Sequence, residues 1–214
     1  MKQWQSVCRD LQREIIAGKY RPRERLVEDD VIADTGATRH AVRKAFDELE
    51  RLGLVVRQPN RGVAVRDYTA KEVEELYEIR ECLETRAADR FPLPAEPSLV
   101  ERLSELAEQH ASASRAERFA DLFALNNAFH ETLYRASGNA QLADAIRHYT
   151  FATHPIRTLS FPDKELREIA ISDHRQMIGA LEAGDRAGLA AIIRKHISRP
   201  KEFYLRAIFV QERF

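Results

Sequence analysis

The segment 31–65 is the part of the chain that most narrows what the protein can fold into. Thr35-Gly36-Ala37 supplies a tight turn between two helical patterns, and Thr38 is placed to cap the second of them. Gly53 is expected to end that second helix, because glycine readily adopts the left-handed backbone conformation of a helix end. Apolar residues recur in the second helix every three or four positions, which predicts one buried stripe: Val42, Ala45, Phe46, Leu49 and Leu52. Two helices joined in this way form a helix-turn-helix.

Two short β-prone runs follow at 54–57 and 63–66. They are joined by Gln58-Pro59-Asn60-Arg61-Gly62, whose proline, asparagine and glycine favour a turn. A hairpin directly after a helix-turn-helix is a wing, so the sequence predicts a winged helix-turn-helix.

The order of charges on the second helix is opposite to what a helix dipole favours, because basic residues precede the acidic Asp47, Glu48 and Glu50. Such a helix start is suited to an anionic partner, and recognition helices present this end to DNA. A solvated surface helix is the alternative, but turn, cap, stripe and wing in one register favour DNA binding. The candidate DNA-binding residues are Thr38, Arg39, His40, Arg43, Lys44, Arg61 and Gly62.

Charge and capping signals divide the 214 residues into two domains. Residues 1–69 carry 14 Lys and Arg against 11 Asp and Glu, and residues 70–214 carry 20 against 23, so the net charges are +3 and −3. Thr69 and Glu72 have the spacing of a capping box, at the point where β-prone sequence gives way to helical periodicity. We therefore expect a winged helix-turn-helix domain at 1–69 and a helical domain at 70–214.

The second domain is predicted to be an all-α bundle of six helices, so the fold class is mainly α. Their expected positions are about 69–90, 98–110, 116–136, 140–154 and 163–183, with the last helix following an Asp185 cap. Pro200 lies inside the last helical pattern, which predicts a kink just after His196.

The sequence favours a reduced, cytoplasmic setting. Cys8 and Cys82 are the two cysteines, both within predicted helices, so neither a disulfide framework nor a cysteine metal site is expected. Membrane-span and signal-peptide patterns are not found in the sequence.

Three histidines lie among apolar residues on three predicted helices, namely His130, His174 and His196. Imidazoles that converge in a bundle core can bind a divalent metal such as Zn, Ni, Mn or Fe, and Asn126, one turn before His130, offers a further oxygen ligand. The alternative is ordinary hydrogen-bonded core histidines. The histidines at positions 40, 110, 148 and 154 are predicted to be at a surface or interface, although His154 could line a cavity.

The residues RLVEDDVIADTGATRHAVRKAFDELERLGLVVRQPNRG resemble the GntR superfamily of bacterial transcription regulators, and residues 70–214 resemble the FCD effector domain of its FadR-type branch. The second resemblance rests on Asn126-x3-His130, His174, His196, the SGN segment 137–139 and ALEAGD at 180–185. Six helices suggest the VanR-like subgroup. Many family members have aspartate where this chain has Asn126, so weaker metal binding and an anionic effector in the metal shell are expected.

The resemblance implies a homodimeric regulator that binds operator DNA and responds to a small carboxylic acid or sugar acid at a metal-containing cavity. It points to Arg80 and Asn139 as effector-binding residues, although Arg80 could equally pair with Glu84 one turn away. Because His40 and Ala41 depart from the usual family motif, the operator sequence does not carry over. A metal-dependent enzyme using the three histidines is the main alternative, although the sequence has no His-Glu-x-x-His pattern to supply a general base. The remaining alternative is a structural metal, or none, in a domain that only dimerises.

Overall fold

The computed structural model describes residues 2–16, 19–58 and 61–211. Its N-terminal part contains three helices and a small sheet in the order of a winged helix-turn-helix, as the sequence predicts. These elements are α1 (Gln3–Ile16), β1 (Arg25–Leu26), α2 (Glu28–Thr35), α3 (Arg39–Arg51), β2 (Val55–Gln58) and β3 (Gly62–Val65).

The turn between α2 and α3 forms as its residue types predict. Gly36 has a φ of 65° and its N–H donates to the carbonyl of Ile32, which ends α2 in the left-handed region. The Thr38 hydroxyl accepts a hydrogen bond from the N–H of Ala41 and so caps α3. The stripe on α3 packs against α1, and both contribute to one core with Val7, Leu11, Val42, Phe46 and Leu49 at its centre.

The wing is an antiparallel sheet with strand order β1-β3-β2. Val56 pairs with Ala64 on one side, and Arg25 pairs with Ala64 on the other. The sequence did not indicate β1, because two residues are too few to show an alternating pattern. The predicted turn residues Pro59 and Asn60, and Gly18 as the expected end of the first helix, lie outside the described residues.

The remainder of the described chain is helical, with seven helices where the sequence predicts six. They are α4 (Ala70–Ala88), α5 (Pro97–Arg115), α6 (Phe119–Arg135), α7 (Ala140–Ala152), α8 (His154–Thr158), α9 (Lys164–Ala183) and α10 (Arg186–Gln211). The predicted helix 140–154 ends early, and Pro155 lies in the first turn of α8. Proline is tolerated there because a first-turn N–H has no helical partner. The predicted kink near His196 stays a prediction, since α10 is assigned as one helix through Pro200.

The helical part buries one large apolar core between α4, α5, α6, α7, α9 and α10. Phe129, Leu133, Met177, Leu181 and Leu189 are fully buried within it. The capping box predicted at Thr69 and Glu72 is present at the start of α4. None of the helices in the described ranges combines the length and apolar character that crossing a membrane requires.

The winged part contacts the helical part at the end of α7. The Tyr68 hydroxyl donates to the carbonyl of Ala152 at 2.5 Å, and the Tyr68 N–H donates to the Tyr204 hydroxyl at 3.0 Å. Gly53, at the end of α3, lies against the same turn, since a Cβ added there would be 3.5 Å from the Cα of Ala152. The end of the second helix of the helix-turn-helix therefore rests on the C-terminal turn of α7.

Candidate functional site

The start of α3 presents its basic side chains to solvent. Arg39 and Arg43 have 54% and 60% of their side-chain surfaces exposed, while Val42 and Phe46 on the opposite face are buried. His40 is exposed as well. The helix is therefore oriented so that its packing leaves the predicted DNA-binding face free.

Carboxylates of α2 hold the two arginines in place. Glu28 bridges them, with Oε2 3.1 Å from Arg39 Nη1 and Oε1 2.8 Å from Arg43 Nε, and Asp29 accepts from Arg39 Nη2 at 2.7 Å. The hydrogen bond from Arg43 is the main reason that the pKa of Glu28 lies below its usual value. Exposed pairs of this kind contribute little stability, so phosphates or bases can replace the carboxylates at small cost.

The other predicted DNA-binding residues lie further along α3 and in the wing. Lys44 lies over the ring of Trp4, 4.9 Å from its centroid. Arg61 is exposed at the tip of the wing, and Gly62 follows it with a φ of 82°. A Cβ at Gly62 would be 3.4 Å from Arg25 Nε, so the wing also places Arg25 beside Gly62.

The structure brings His130, His174 and His196 together. One nitrogen from each lies within 4.8 Å of the others, although the three residues come from α6, α9 and α10. The Nε2 atoms of His130 and His196 are 3.1 Å apart. Two ligands of one ion at about 2.1 Å are separated by about 3.0 to 3.4 Å, so this spacing fits a shared metal. Asn126 is buried one turn before His130.

Buried ring nitrogens that lack hydrogen-bond partners also fit a shared metal at this cluster. Among the described residues, Nδ1 of His130 and both ring nitrogens of His174 have no hydrogen-bond partner. Burial, followed by nearby positive charge, holds the pKa values of both histidines well below the ordinary one. Neutral imidazole is the form that binds metal, so the donor set suits a divalent ion.

Asp173 supplies an acidic group beside this cluster that the sequence analysis missed. Its Oδ2 is 3.1 Å from Nδ1 of His196, and it also pairs with Arg199. A carboxylate that accepts from Nδ1 leaves Nε2 free to bind a metal and fixes the ring orientation. In the sequence, its position next to His174 and between the apolar Ile171 and Met177, both buried, was the feature that could have indicated an inward-facing carboxylate.

A cavity of about 60 Å³ adjoins the histidines through Asn126, Asp173 and His196. Arg157, from α8, also lines it and is only 6% exposed. Within the described ranges no carboxylate pairs with Arg157, and its Nη1 has no hydrogen-bond partner, while Nη2 donates to Asn127 Oδ1 at 3.2 Å. Burial and the charge of Arg80 lower the pKa of Arg157 to about 10. A buried guanidinium in this state is a candidate binding group for an anion.

The two predicted effector-binding residues have other contacts. Arg80 is buried and pairs with Glu84 at 2.8 Å, which was the alternative considered for it, and its Nη1 donates to Thr153. Glu84 also accepts from the Tyr134 hydroxyl at 2.5 Å, so this charge is compensated inside the bundle. The Asn139 side chain accepts from the N–H of Leu142 and caps α7. Neither residue is among those that line the 60 Å³ cavity in the described structure.

Of the four histidines predicted to lie at a surface or interface, His40 and His148 are exposed as expected and His110 is buried, whereas His154 lines a cavity, which was the alternative stated for it. His110 is 3% exposed, lines the 60 Å³ cavity and has its ring centroid 4.9 Å from that of His174. The sequence predicts that this helix ends near His110, but α5 continues to Arg115. His110 therefore lies in the middle of the buried face of α5. His154 is 0% exposed.

The contacts of Arg80 predict a large loss of stability on replacing Glu84 by Gln. The substitution leaves Arg80 buried without a negative charge and should lower the free energy of unfolding by about 3 kcal/mol. Denaturant unfolding measures it. Glu81→Gln is the matched control on the same helix, since Glu81 pairs with Arg194 in solvent and should cost about 1 kcal/mol or less. Equal losses in the two variants would mean that the Arg80–Glu84 pair is not a structural ion pair.

Comparison with known families gives two matches. Residues 3–65 match the family described as "Bacterial regulatory proteins, gntR family". Residues 75–199 match the FCD domain.

Named relatives agree with these matches. An uncharacterized HTH-type transcriptional regulator, YdhC of Bacillus subtilis, is 29% identical over 168 residues, covering 78% of this chain and 75% of the relative. A protein of Paenarthrobacter nicotinovorans, named as the probable transcriptional repressor of a D-xylose utilization operon, is 32% identical over 162 residues, covering 74% and 69%. A crystal structure of a GntR regulator from Rhodococcus sp. RHA1 has the same fold, with a TM-score of 0.75 at 24% identity over 97% of this chain and 99% of that one.

Proposed function

The chain belongs to the GntR family of DNA-binding transcription regulators and carries an FCD domain, and from this premise we propose that a small organic anion controls its binding to operator DNA. The observation that carries the proposal is Arg157, a buried cation beside a histidine cluster that fits a metal. We place the boundary between the DNA-binding and effector-binding domains at Thr69, between the two matched segments. The VanR-like subgroup stays a prediction, and the short helix α8 departs from the six-helix count on which it rests.

In the proposed DNA complex, α3 enters the major groove with Arg39, His40 and Arg43 toward the base edges. Lys44 contacts phosphate, and the wing residues Arg61 and Gly62 lie on the backbone or in the minor groove. Thr38 holds the start of the helix through its cap. A homodimer places two such helices on the half-sites of a near-palindrome, the usual arrangement for this motif.

Replacing Arg43 by Ala should weaken specific operator binding by about 1 to 3 kcal/mol, because a base contact is lost. Fluorescence anisotropy with an operator selected from a random duplex pool measures it. Arg51→Ala is the matched control, since Arg51 is an exposed arginine in the last turn of the same helix and pairs with Glu48. Equal effects of the two substitutions would remove Arg43 from the proposed interface.

In the helical domain, His130, His174 and His196 would hold the divalent metal, with Asn126 as a neutral fourth ligand. When bound, the metal supplies a positive charge that attracts an anion. Asp173 orients His196 for this role through its hydrogen bond to Nδ1. The donor set of imidazoles and an amide oxygen suits Zn, Ni, Mn or Fe.

Replacing His174 by Ala should abolish stoichiometric metal binding, because His174 supplies one of three converging imidazoles. Elemental analysis of folded, dialysed protein measures the metal content. His148→Ala is the control, since His148 is an exposed histidine on α7. Metal retained at full stoichiometry in the His174 variant would show that the proposed coordination set is wrong.

We assign the anion-binding role to Arg157, in place of Arg80 and Asn139. The cavity next to Arg157 also contains Arg167 and Arg199, against the single acidic Asp173. Arg167 pairs with the exposed Glu117, and Arg199 pairs with Asp173, so the charge that remains for a ligand is that of Arg157. A carboxylate accepts two hydrogen bonds from a guanidinium, which makes it the natural partner.

The size of the cavity limits the effector to a small molecule. About 60 Å³ is several times the space that one water requires, which suits a short carboxylic acid or a small sugar acid. One relative is named for the repression of a D-xylose utilization operon, which is consistent with control by a sugar-derived compound.

The end of α7 provides a route from the effector cavity to the DNA-binding domain. Thr153 accepts from Arg80, and the preceding carbonyl of Ala152 accepts from Tyr68. Gly53 lies against Ala152, and α8 with Arg157 begins at the next residue after Thr153. A shift of α8 on anion binding would therefore be transmitted toward α3 through Ala152, which contacts both Tyr68 and Gly53.

A screen of organic acids against metal-loaded protein tests the proposal. At least one acid should raise the melting temperature and change the operator Kd, by about five- to 150-fold for a typical allosteric coupling. In Tyr68→Phe the acid should still bind, but the change in operator Kd should fall toward one, because the hydrogen bond to Ala152 is lost. Tyr149→Phe, which removes a hydroxyl from the same helix, is the control.

Two outcomes would contradict the proposal. If no small acid alters operator binding with any of the four metals, the helical domain serves only for dimerisation. Robust turnover of a substrate at the histidine cluster would instead favour the metal-dependent enzyme, which the named relatives above do not support.

A further inference from the structure

The histidine cluster borders a second cavity, which is lined by residues of α6, α7 and α8. His196 and Asn126 line the 60 Å³ cavity, whereas His130 lines a separate one of about 40 Å³. At roughly 10 to 15 Å³ for each water-sized group, the second cavity has room for about three. Its lining includes Asn127, His130, Tyr134, Ile146, Thr150 and His154.

His154 is a fully buried polar residue in the lining of this second cavity. It is 0% exposed, with its ring centroid 4.4 Å from that of Phe123 and 4.7 Å from that of Phe151. Neither of its ring nitrogens has a partner among the residues the structure describes. Burial, followed by the charge of Arg157, holds the pKa of His154 well below its usual value, so the ring is neutral. A neutral imidazole offers one donor and one acceptor, which is the pair that a hydroxyl group complements.

Arg157 stands at the boundary between the two cavities. It lines the 60 Å³ cavity, and its Nη2 donates to Asn127, which lines the other one. His154 and Arg157 are three residues apart on α8, so their side chains leave the same face of the helix about 5 to 6 Å apart. A molecule of about four carbons therefore has the length to extend from Arg157 past Asn127 to His154.

We propose that the second cavity binds a hydroxyl group of the effector through His154, while Arg157 binds its carboxylate. The inference rests on the proposed function, since it assumes that a carboxylate occupies Arg157. It narrows the effector to hydroxy acids whose hydroxyl is remote from the carboxylate. The cavity is also lined by Glu131 and Arg147, which pair with Arg135 and Asp144. A second carboxylate is disfavoured there, because it would meet the negative charge of Glu131 and a cation that already has a partner.

Three matched pairs of acids test the inference on the full, metal-loaded chain: propanoate with 3-hydroxypropanoate, butanoate with 4-hydroxybutanoate, and pentanoate with 5-hydroxypentanoate. Calorimetry should show that in at least one pair the hydroxy acid binds roughly tenfold more tightly, the effect of one buried hydrogen bond. In His154→Phe that preference should disappear while the affinity for the plain acid is kept. His154→Asn retains a donor and an acceptor and should restore the preference. His148→Phe, on the exposed face of α7, should leave it unchanged.

The outcomes separate this inference from the proposed function. Equal binding within every pair, a preference that survives in His154→Phe, or no binding of any of the six acids would each overturn the role of His154. The proposed function is decided separately, by whether the wider acid screen changes operator binding and whether the histidine cluster turns over a substrate. If His154→Phe does not fold, a crystal structure of wild-type protein with 4-hydroxybutanoate decides: a hydroxyl within hydrogen-bond distance of His154 supports the inference, and a hydroxyl elsewhere overturns it.

Discussion

A buried positive charge without a matching negative one is the constraint around which the helical domain is organised. Transferring a guanidinium out of water is costly unless an opposite charge or several acceptors replace the solvent. Arg80 meets that condition through Glu84, which is further held by Tyr134. Arg157 has a single hydrogen-bond acceptor among the described residues, the amide oxygen of Asn127. The first arginine is thus part of the framework, and the second is the group to which we assign the ligand anion.

The two domains also differ in how the positive charges of their arginines are compensated. On α3 the arginines are exposed and lie against Glu28 and Asp29, so they exchange partners readily when DNA approaches. In the bundle Arg80 is compensated by Glu84, whereas Arg157 has no carboxylate partner among the described residues. Tyr68 and Gly53 join these regions at Ala152, which places the connection at the end of the helix before α8.

The features that the sequence predicted well are those whose signals lie close together in the chain. The cap at Thr38, the turn at Gly36 and the capping box at Thr69 are local, and the structure contains each of them. The convergence of His130, His174 and His196 was predicted from their apolar neighbours and from a family resemblance, because helix periodicity identifies the inward face.

The features that the sequence analysis missed depend on tertiary contacts or on helix ends. His110 was placed at the surface because its helix was ended five residues too early. No neighbouring residue in the sequence indicates the role of Arg157. That the described residues offer it no carboxylate partner depends on how separate helices pack around it. Asp173 belongs to the same group, because its partner His196 is 23 residues away in the chain.

Replacing Arg157 by Met is the most direct test of the central claim that this arginine is kept for a ligand. Because the charge lacks a carboxylate partner in the described structure, the substitution should leave the free energy of unfolding unchanged or raise it, as a buried charge is exchanged for an apolar side chain of similar length. The operator should still bind, and its affinity should no longer respond to any acid that acts on the wild type. A variant that unfolds several kcal/mol more easily, or one that keeps its acid response, would contradict the account.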